Sequence, residues 1–200
     1  MPTLVIATRN AKKLREIREI LGDLPISLQD LSHWPQAPEV EETGATFEAN
    51  AKLKASQVAV ALKQWVLGED SGLVVPALKG EPGVYSARYA GTQGDDAANN
   101  RKLLAELAKV NEDQRQAYYV STAALSDPEG NIHATVEGRC NGVILRDYHG
   151  EGGFGYDPLF QIPEYHRTFG ELSSVVKHAL SHRGRALAKL RPLLRKALGV

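Results

Sequence analysis

The chain has a single cysteine, Cys140, in 200 residues. An intrachain disulfide and a four-cysteine zinc site are therefore both excluded. That thiol usage suits a reducing, cytoplasmic compartment. Net charge is also missing: 24 Lys and Arg are balanced by 24 Asp and Glu. Without a broad basic field, general coating of nucleic acid is not expected. Aromatic residues make up only 6% and do not form a stacking series for bases. No apolar run approaches the roughly 18 residues of a membrane-spanning helix, so no membrane partner is expected. The start, Met1-Pro-Thr-Leu-Val-Ile-Ala-Thr, lacks the basic and apolar regions of a secretion signal. No G-x-x-x-x-G-K-[ST], H-E-x-x-H or G-x-S-x-G motif occurs, which removes the P-loop, zincin and nucleophile-elbow chemistries. Repeats, low-complexity tracts and clear linkers are absent as well.

What remains is ordinary globular composition, 42% hydrophobic and 24% charged. The length suits one domain, or two lobes sharing a core. Leu4–Ala7 reads as a short buried strand, followed by a polar turn and a helix over 12–21 with Leu14, Ile17 and Leu21 on one face. Residues 23–40, with three prolines, read as irregular. Phe47, Ala51, Ala55, Val58 and Leu62 predict a long amphipathic helix capped by Thr46. Trp65-Val-Leu67 reads as a strand ending in Gly68-Glu-Asp-Ser-Gly72, and 80–95 as loop. A helix is predicted near 97–109, paired strands over 118–125 and 132–137, and a third strand at 142–146. Thr168-x-x-Glu171 matches a capping box, and a last helix from about 182 meets Pro192, which predicts a kink or a restart. The expected class is α/β with a mixed sheet.

Six constellations carry groups capable of chemistry. Thr8-Arg9-Asn10-Ala11-Lys12-Lys13 joins a hydroxyl, an amide and cations at a strand-to-helix junction, where amides and the helix dipole favour an anion. The same residues also suit a plain helix cap with solvated lysines. Glu41-Glu42 precedes the long helix, either as ordinary first-turn acids or as a source of a magnesium ligand. Glu69-Asp70-Ser71-Gly72 places two carboxylates after an apolar strand, where they suit Mg²⁺ and water activation, or a simple turn. Phe47, Asn50 and Lys54 share a helix face, so Lys54 either looks toward the acids or lies solvated. The stretch 150–157 matches G-x-G-x-x-G, but it neither follows a first strand nor opens a helix, so a dinucleotide fingerprint is rejected. Its glycines suit a close ligand approach, with Phe154 or Tyr156 as a stacking ring, or a loop with one aromatic in the core. Lys177 with Ser181-His182-Arg183 suits phosphate or base-edge contacts, or two helix ends.

The order of these motifs is more specific than any one of them. T-x-N-x-x-K, E-E-T-G-x-T-F-x-x-N-A-x-x-K-A, E-D-S-G-L, P-G-V-Y-S-A-R-Y-A-G, G-G-F-G-Y-D-P and K-x-x-x-S-H-R-G-x-A-L follow one another from Leu4 to about Leu190. This series resembles the inosine triphosphate pyrophosphatase family, the HAM-type enzymes acting on non-canonical purine nucleoside triphosphates. The resemblance implies a long mixed twisted sheet flanked by helices, a single domain over 1–200 with two lobes and a central substrate cleft, and a homodimer. It implies Mg²⁺-dependent hydrolysis of ITP, dITP and XTP to the monophosphate and pyrophosphate, which clears deaminated purines from the nucleotide pool.

Carried over by position, Thr8, Arg9, Asn10, Ala11, Lys12 and Lys13 match the triphosphate loop. Glu41 matches a magnesium ligand, and Lys54 a phosphate contact. Asp70 matches a metal ligand and the general base, with Ser71 beside it. Phe154, Gly155, Tyr156 and Asp157 match the base loop, and Lys177, His182 and Arg183 the other substrate contacts. His182, Arg183 and Asp157 are expected to read the 6-keto edge. Two departures stand out: Glu69 where many bacterial members have Asp, and Arg9 in place of a common Gly. Rival expectations are a nucleotide-binding protein without catalysis and a pyrophosphatase for modified pyrimidines.

Overall fold

A computed structural model describes all 200 residues. Seven strands form one mixed sheet in the order β2-β1-β3-β4-β5-β6-β7. They are β1 (Thr3–Ile6), β2 (Ser27–Asp30), β3 (Trp65–Val74), β4 (Gln116–Ser126), β5 (Ile132–Ile144), β6 (Phe160–Ile162) and β7 (Arg167–Thr168). β1 runs parallel to both β2 and β3, while β6 is antiparallel to β5 and β7. The helices are α1 (Ala11–Leu21), α2 (Phe47–Leu62), α3 (Asp96–Glu106), α4 (Ser174–Leu180) and α5 (His182–Leu198). None is long and apolar enough to cross a membrane.

The chain divides into two compact units, the first being Met1–Asp70, Ser121–Gly138 and Arg183–Val200. Strand alternation organises it. Leu4 and Ile6 of β1, with Leu67 of β3, pack with Ile17 and Leu21 of α1 and Leu187, Leu190 and Leu194 of α5. Val5, Ala7 and Val66 point the other way, to Val58, Ala59 and Leu62 of α2. α2 starts where expected: Thr46 Oγ1 accepts from the Ala49 amide at 3.1 Å. It ends at Lys63, whose φ of 53° stops the helix. α2 also lies unusually close to β3. A Cβ on Gly68 would stand 2.2 Å from the Ala51 carbonyl oxygen and 2.6 Å from the Ala55 nitrogen. Glycine at 68 and alanine at 51 and 55 therefore set the helix-to-strand distance.

The second unit is Ser71–Val120 and Arg139–His182. Its core joins Leu73, Leu103, Tyr119, Ile144, Tyr156, Phe160 and Phe169. Arg115, 1% exposed, donates to the carbonyls of Ile144 (2.7 Å), Leu107 (2.8 Å) and Leu145 (3.0 Å). Burial lowers its pKa, and the three carbonyls give the cation its hydrogen bonds.

The structure corrects several sequence expectations. Residues 23–40 hold the edge strand β2 and a 3₁₀ turn at Leu31–His33. Four partly polar residues on a sheet edge carry no apolar pattern to announce them. Residues 80–95 contain a 3₁₀ segment, Gly83–Arg88. β5 absorbs much of the separate strand expected at 142–146, and α5 continues through the exposed Pro192. The Thr168 amide does donate to Glu171 Oε2 at 2.8 Å, but Thr168 belongs to β7. The pair closes a turn, and α4 takes Ser173 as its cap. Most important, Glu69 and Asp70 lie inside the ten-residue β3, neither at a strand end nor in a turn.

Candidate active site

Alternation along β3 sends its two adjacent carboxylates to opposite faces of the sheet. Asp70 follows Val66 and Gly68 to the α2 face. There Asn50 Nδ2 donates to Asp70 Oδ2 at 3.1 Å, and Lys54 Nζ stands 3.4 Å from Oδ1. Asn50 and Lys54 are one helical turn apart, so the close seat of α2 on Gly68 aims both at one carboxylate. Asn50 is itself fixed, because its Oδ1 accepts from the Gly44 amide at 2.8 Å. Lys54 Nζ also pairs with Glu42 Oε1 at 2.9 Å. The solvated alternative for Lys54 is thus overturned, since only 11% of its side chain is exposed.

Burial pushes the Asp70 carboxyl above the usual aspartate range, and the charge of Glu42 adds to the rise. Lys54, Lys13 and the Asn50 hydrogen bond pull against it without cancelling it. For Lys54, burial works against the charge, but Asp70, Glu42 and Glu69 outweigh it and raise its pKa. Asp70 is accordingly a more basic carboxylate than a solvated one, beside a firmly charged ammonium.

Glu69 follows Leu67 to the opposite face. Arg183 Nη2 contacts its Oε1 at 3.1 Å, Ser121 Oγ donates to the same oxygen at 2.7 Å, and Lys13 Nζ lies 3.1 Å from Oε2. Arg183 Nη1 pairs with Glu16, a buried residue of α1. Burial alone would raise the Glu69 pKa, yet Arg183, Lys13 and Lys54 together hold it well below the glutamate range. Arg183 is 1% exposed and both its terminal nitrogens are engaged by carboxylates. It thereby ties Glu69 of β3 to Glu16 of α1.

The remaining first-unit candidates divide. Asn10 caps α1, its Oδ1 accepting from the amides of Lys12 (3.0 Å) and Lys13 (3.1 Å). Thr8 Oγ1 accepts from the Asn10 amide at 3.2 Å. Arg9, Ala11 and Lys12 are exposed at that helix start, and Arg9 reaches the Ala37 carbonyl at 3.4 Å. Glu41 is exposed and its carbonyl closes a turn with Thr43, whereas Glu42 makes the Lys54 contact. The structure therefore brings Glu42, not Glu41, into the Asp70 cluster.

In the second unit, the loop 150–157 is tightly held. Asp157 Oδ2 accepts from the Phe154 amide at 2.7 Å and from Lys177 Nζ at 2.6 Å. Gly153 makes this possible: its φ is +74°, and a Cβ there would stand 2.0 Å from the same oxygen. Lys177, 5% exposed, also lies 4.9 Å from the centre of the Phe154 ring. Phe154 is half-buried, whereas Tyr156 is 3% exposed and donates to the Ser86 carbonyl at 2.8 Å. Tyr156 belongs to the core of the second unit, and burial raises its pKa. His182 stacks on Tyr119 at 4.6 Å and 10°. Ser71, the next residue of β3, is partly exposed. Sequence reasoning missed Glu16, Glu42 as the contacting acid, Ser121 and Tyr119. For Asn50 the one local signal is its spacing from Lys54, which puts both on one helix face.

No group of three or more His, Cys, Asp or Glu side chains is arranged to hold a metal by itself. Asp70 and Glu42 both offer hard carboxylate oxygens on the α2 face, each approached by Lys54 Nζ. Such a set fits Mg²⁺, which takes one or two carboxylates and completes its shell with water and phosphate oxygens.

Comparison with known proteins bears on these groups. A family model described as the Ham1 family matches residues 4–193. A dITP/XTP pyrophosphatase of Rhodopirellula baltica is 56% identical over 191 residues, covering 96% of this chain and 92% of the relative. One from Geobacter sulfurreducens is 53% identical, covering 96% of both chains. Among solved structures, a HAM1 protein from Coxiella burnetii superposes with a TM-score of 0.88 at 38% identity, covering 98% of this chain and all of that one (100%). With the motif order, the sheet and the family match in agreement over nearly its whole length, the chain belongs to the Ham1 family.

Proposed function

We propose that this protein hydrolyses non-canonical purine nucleoside triphosphates, dITP, ITP and XTP, to the monophosphate and pyrophosphate in a Mg²⁺-dependent reaction. Acting as a cytoplasmic homodimer, it would remove deaminated purines from the nucleotide pool. The observation that carries this reading is Asp70: a buried carboxylate of raised basicity, oriented by Asn50 and flanked by Lys54. Relatives about half identical over nearly full length are named dITP/XTP pyrophosphatases, which supports it.

Asp70 accepts the proton of the attacking water on a carboxylate oxygen, and its raised pKa strengthens it as a base. Asn50 keeps Oδ2 in place, so the free lone pairs keep one direction. Lys54 and Lys13 supply cationic charge near a triphosphate that carries about four negative charges. Glu69 stays ionised and holds Lys13 in position rather than taking a proton. Asp70 and Glu42 are the residues that would hold Mg²⁺, which supplies charge neutralisation at the phosphates when bound. In the second unit the Phe154 ring offers a stacking face for the purine, backed by Lys177. Specificity is assigned to polar groups of that loop and to His182, since a buried group left unpaired by the wrong base costs about 1–3 kcal/mol.

The test is incubation with dITP and Mg²⁺, with dGTP and dATP alongside, and identification of products. Release of dIMP and pyrophosphate with the other two nucleotides spared is expected. Release of single phosphate would overturn the mechanism. Binding of dITP without turnover would leave a nucleotide-binding protein.

A further inference from the structure

One pair of side chains in the second unit has no part in the chemistry above, yet grips the loop that carries Phe154. Asp96 and Asn100 lie one turn apart on α3 and so share a face. Asp96 Oδ2 accepts from the Gly155 amide at 3.0 Å. Asn100 Nδ2 donates to the Gly155 carbonyl at 2.8 Å. One helix thus holds both polar groups of a single loop residue. Asn100 is only 4% exposed.

The grip matters because of where Gly155 lies. Its φ is +62°, in the left-handed region, and a Cβ there would meet nothing within 4 Å. The glycine is needed for its backbone angle and not for space. On the other side of Phe154, the amide of Phe154 itself is fixed on Asp157. The backbone is therefore pinned immediately before and immediately after the aromatic residue. With both flanks fixed, the direction of the Phe154 Cα–Cβ bond is set and only its side-chain torsions stay free. α3 is in turn anchored by Asn99, which accepts from the Ala90 amide at 2.7 Å and donates to the Ala87 carbonyl at 3.3 Å.

We propose that Asp96 and Asn100 are positioning residues that clamp the Gly155 peptide and so present the Phe154 ring for stacking on the substrate base. The proposal rests on the reading of Phe154 as the base platform given above. The clamp acts on base binding and leaves the Asp70 chemistry alone. Loss of either half therefore raises KM while kcat is kept, the pattern of lost uniform binding.

The test uses Asp96→Ala, Asn100→Ala and the conservative Asp96→Asn, whose amide oxygen still accepts from the Gly155 amide. The chain has four phenylalanines, so uniform 3-fluorophenylalanine labelling gives four ¹⁹F signals, that of Phe154 being assigned by Phe154→Leu. In both alanine variants the Phe154 signal is expected to shift or broaden while the other three hold. KM for dITP should rise about tenfold with kcat within about twofold, the size expected for a weakened stacking platform. Asp96→Asn should restore both readouts. An unmoved Phe154 signal overturns the clamp, and so does a moved signal with unchanged KM. A fall in kcat at constant KM overturns the positioning role. If the wild type does not turn over dITP at all, the proposed function fails, and the fluorine spectra alone decide whether the clamp holds the ring.

Discussion

Gly68→Ala is the most direct probe of how α2 delivers Asn50 and Lys54 to Asp70. The added methyl would stand 2.2 Å from the Ala51 carbonyl oxygen, 2.6 Å from the Ala55 nitrogen and 3.0 Å from the Ala55 Cβ. Ordinary carbon contacts need about 3.5 Å, so helix and strand must part by roughly 1 Å. The obstructing atoms are mostly backbone, and a side-chain rotation cannot relieve them. Overpacking of this kind costs about 1–3 kcal/mol of stability. The catalytic loss should be larger. The 3.1 Å bond from Asn50 and the 3.4 Å approach of Lys54 both lengthen, and a misplacement of about 1 Å is worth around 100-fold in rate. Losing Lys54 and Asn50 removes two influences that hold the Asp70 pKa down, so the acid limb of the kcat/KM profile should move to higher pH. The assay is steady-state pyrophosphate release from dITP across pH, with circular dichroism to show that the variant is folded. A folded Gly68→Ala protein with unchanged kcat and an unmoved acid limb would refute the claim that this close seat aligns the site.

Three further outcomes are expected. Asp70→Asn should lose about 10²–10⁴-fold in kcat while still binding dITP. Because the folded pKa of Asp70 is raised, its ionised form is disfavoured by the fold. The variant should therefore melt at a higher temperature than the wild type at neutral pH, as scanning calorimetry would show. Glu69→Gln should act in the opposite sense. The folded pKa of Glu69 is depressed, so its contribution is full above the ordinary glutamate range and is lost as pH falls from there through the folded value. Removing it should destabilise by about 3–5 kcal/mol at neutral pH and flatten acid unfolding, measured by urea titration from pH 7 to pH 3. Gly153→Ala, with its Cβ 2.0 Å from Asp157 Oδ2 and φ at +74°, should dislodge Asp157 from Lys177 and Phe154. KM for dITP should rise with less change in kcat, and an unchanged KM would count against the base platform.

The legible parts of this fold are those whose signal is local. β1, α1 and α2 announce themselves through apolar spacing, and the caps at Asn10 and Thr46 fall where polar side chains precede it. Asp70 was legible as a residue but not in its setting. The apolar run stops at Leu67, and Gly-Glu-Asp-Ser-Gly has the composition of a turn. Those residues form strand because their charged groups meet partners brought from elsewhere in the chain: Ser121 lies 52 positions from Glu69, and Arg183 lies 114. No window of sequence contains such a pairing. Glu16 shows the same limit, since it is one of two glutamates on α1 and its partner Arg183 is 167 residues away. Glu42 and Glu41 are chemically identical neighbours, and only the path of the chain into α2 decides which meets Lys54.

The adjacent carboxylates of β3 show how one strand sets two opposite chemistries. Both are buried, 2% exposed for Glu69 and 4% for Asp70, so desolvation raises both pKa values and is the largest influence on each. What separates them is the face. On the α1 and α5 side, Glu69 meets a guanidinium, an ammonium and a hydroxyl, and the cations win. On the α2 side, Asp70 meets one ammonium, an amide and the opposing charge of Glu42, and burial wins. Lys54 is shared between Asp70 and Glu42, so neither acid has its full charge. The first environment fixes a permanent anion that organises Lys13 and Arg183. The second leaves a carboxylate that gains or loses a proton more readily, which a base needs and an anchor does not. Pleat alternation, acting on two consecutive acids, is thus what separates the anchor from the base.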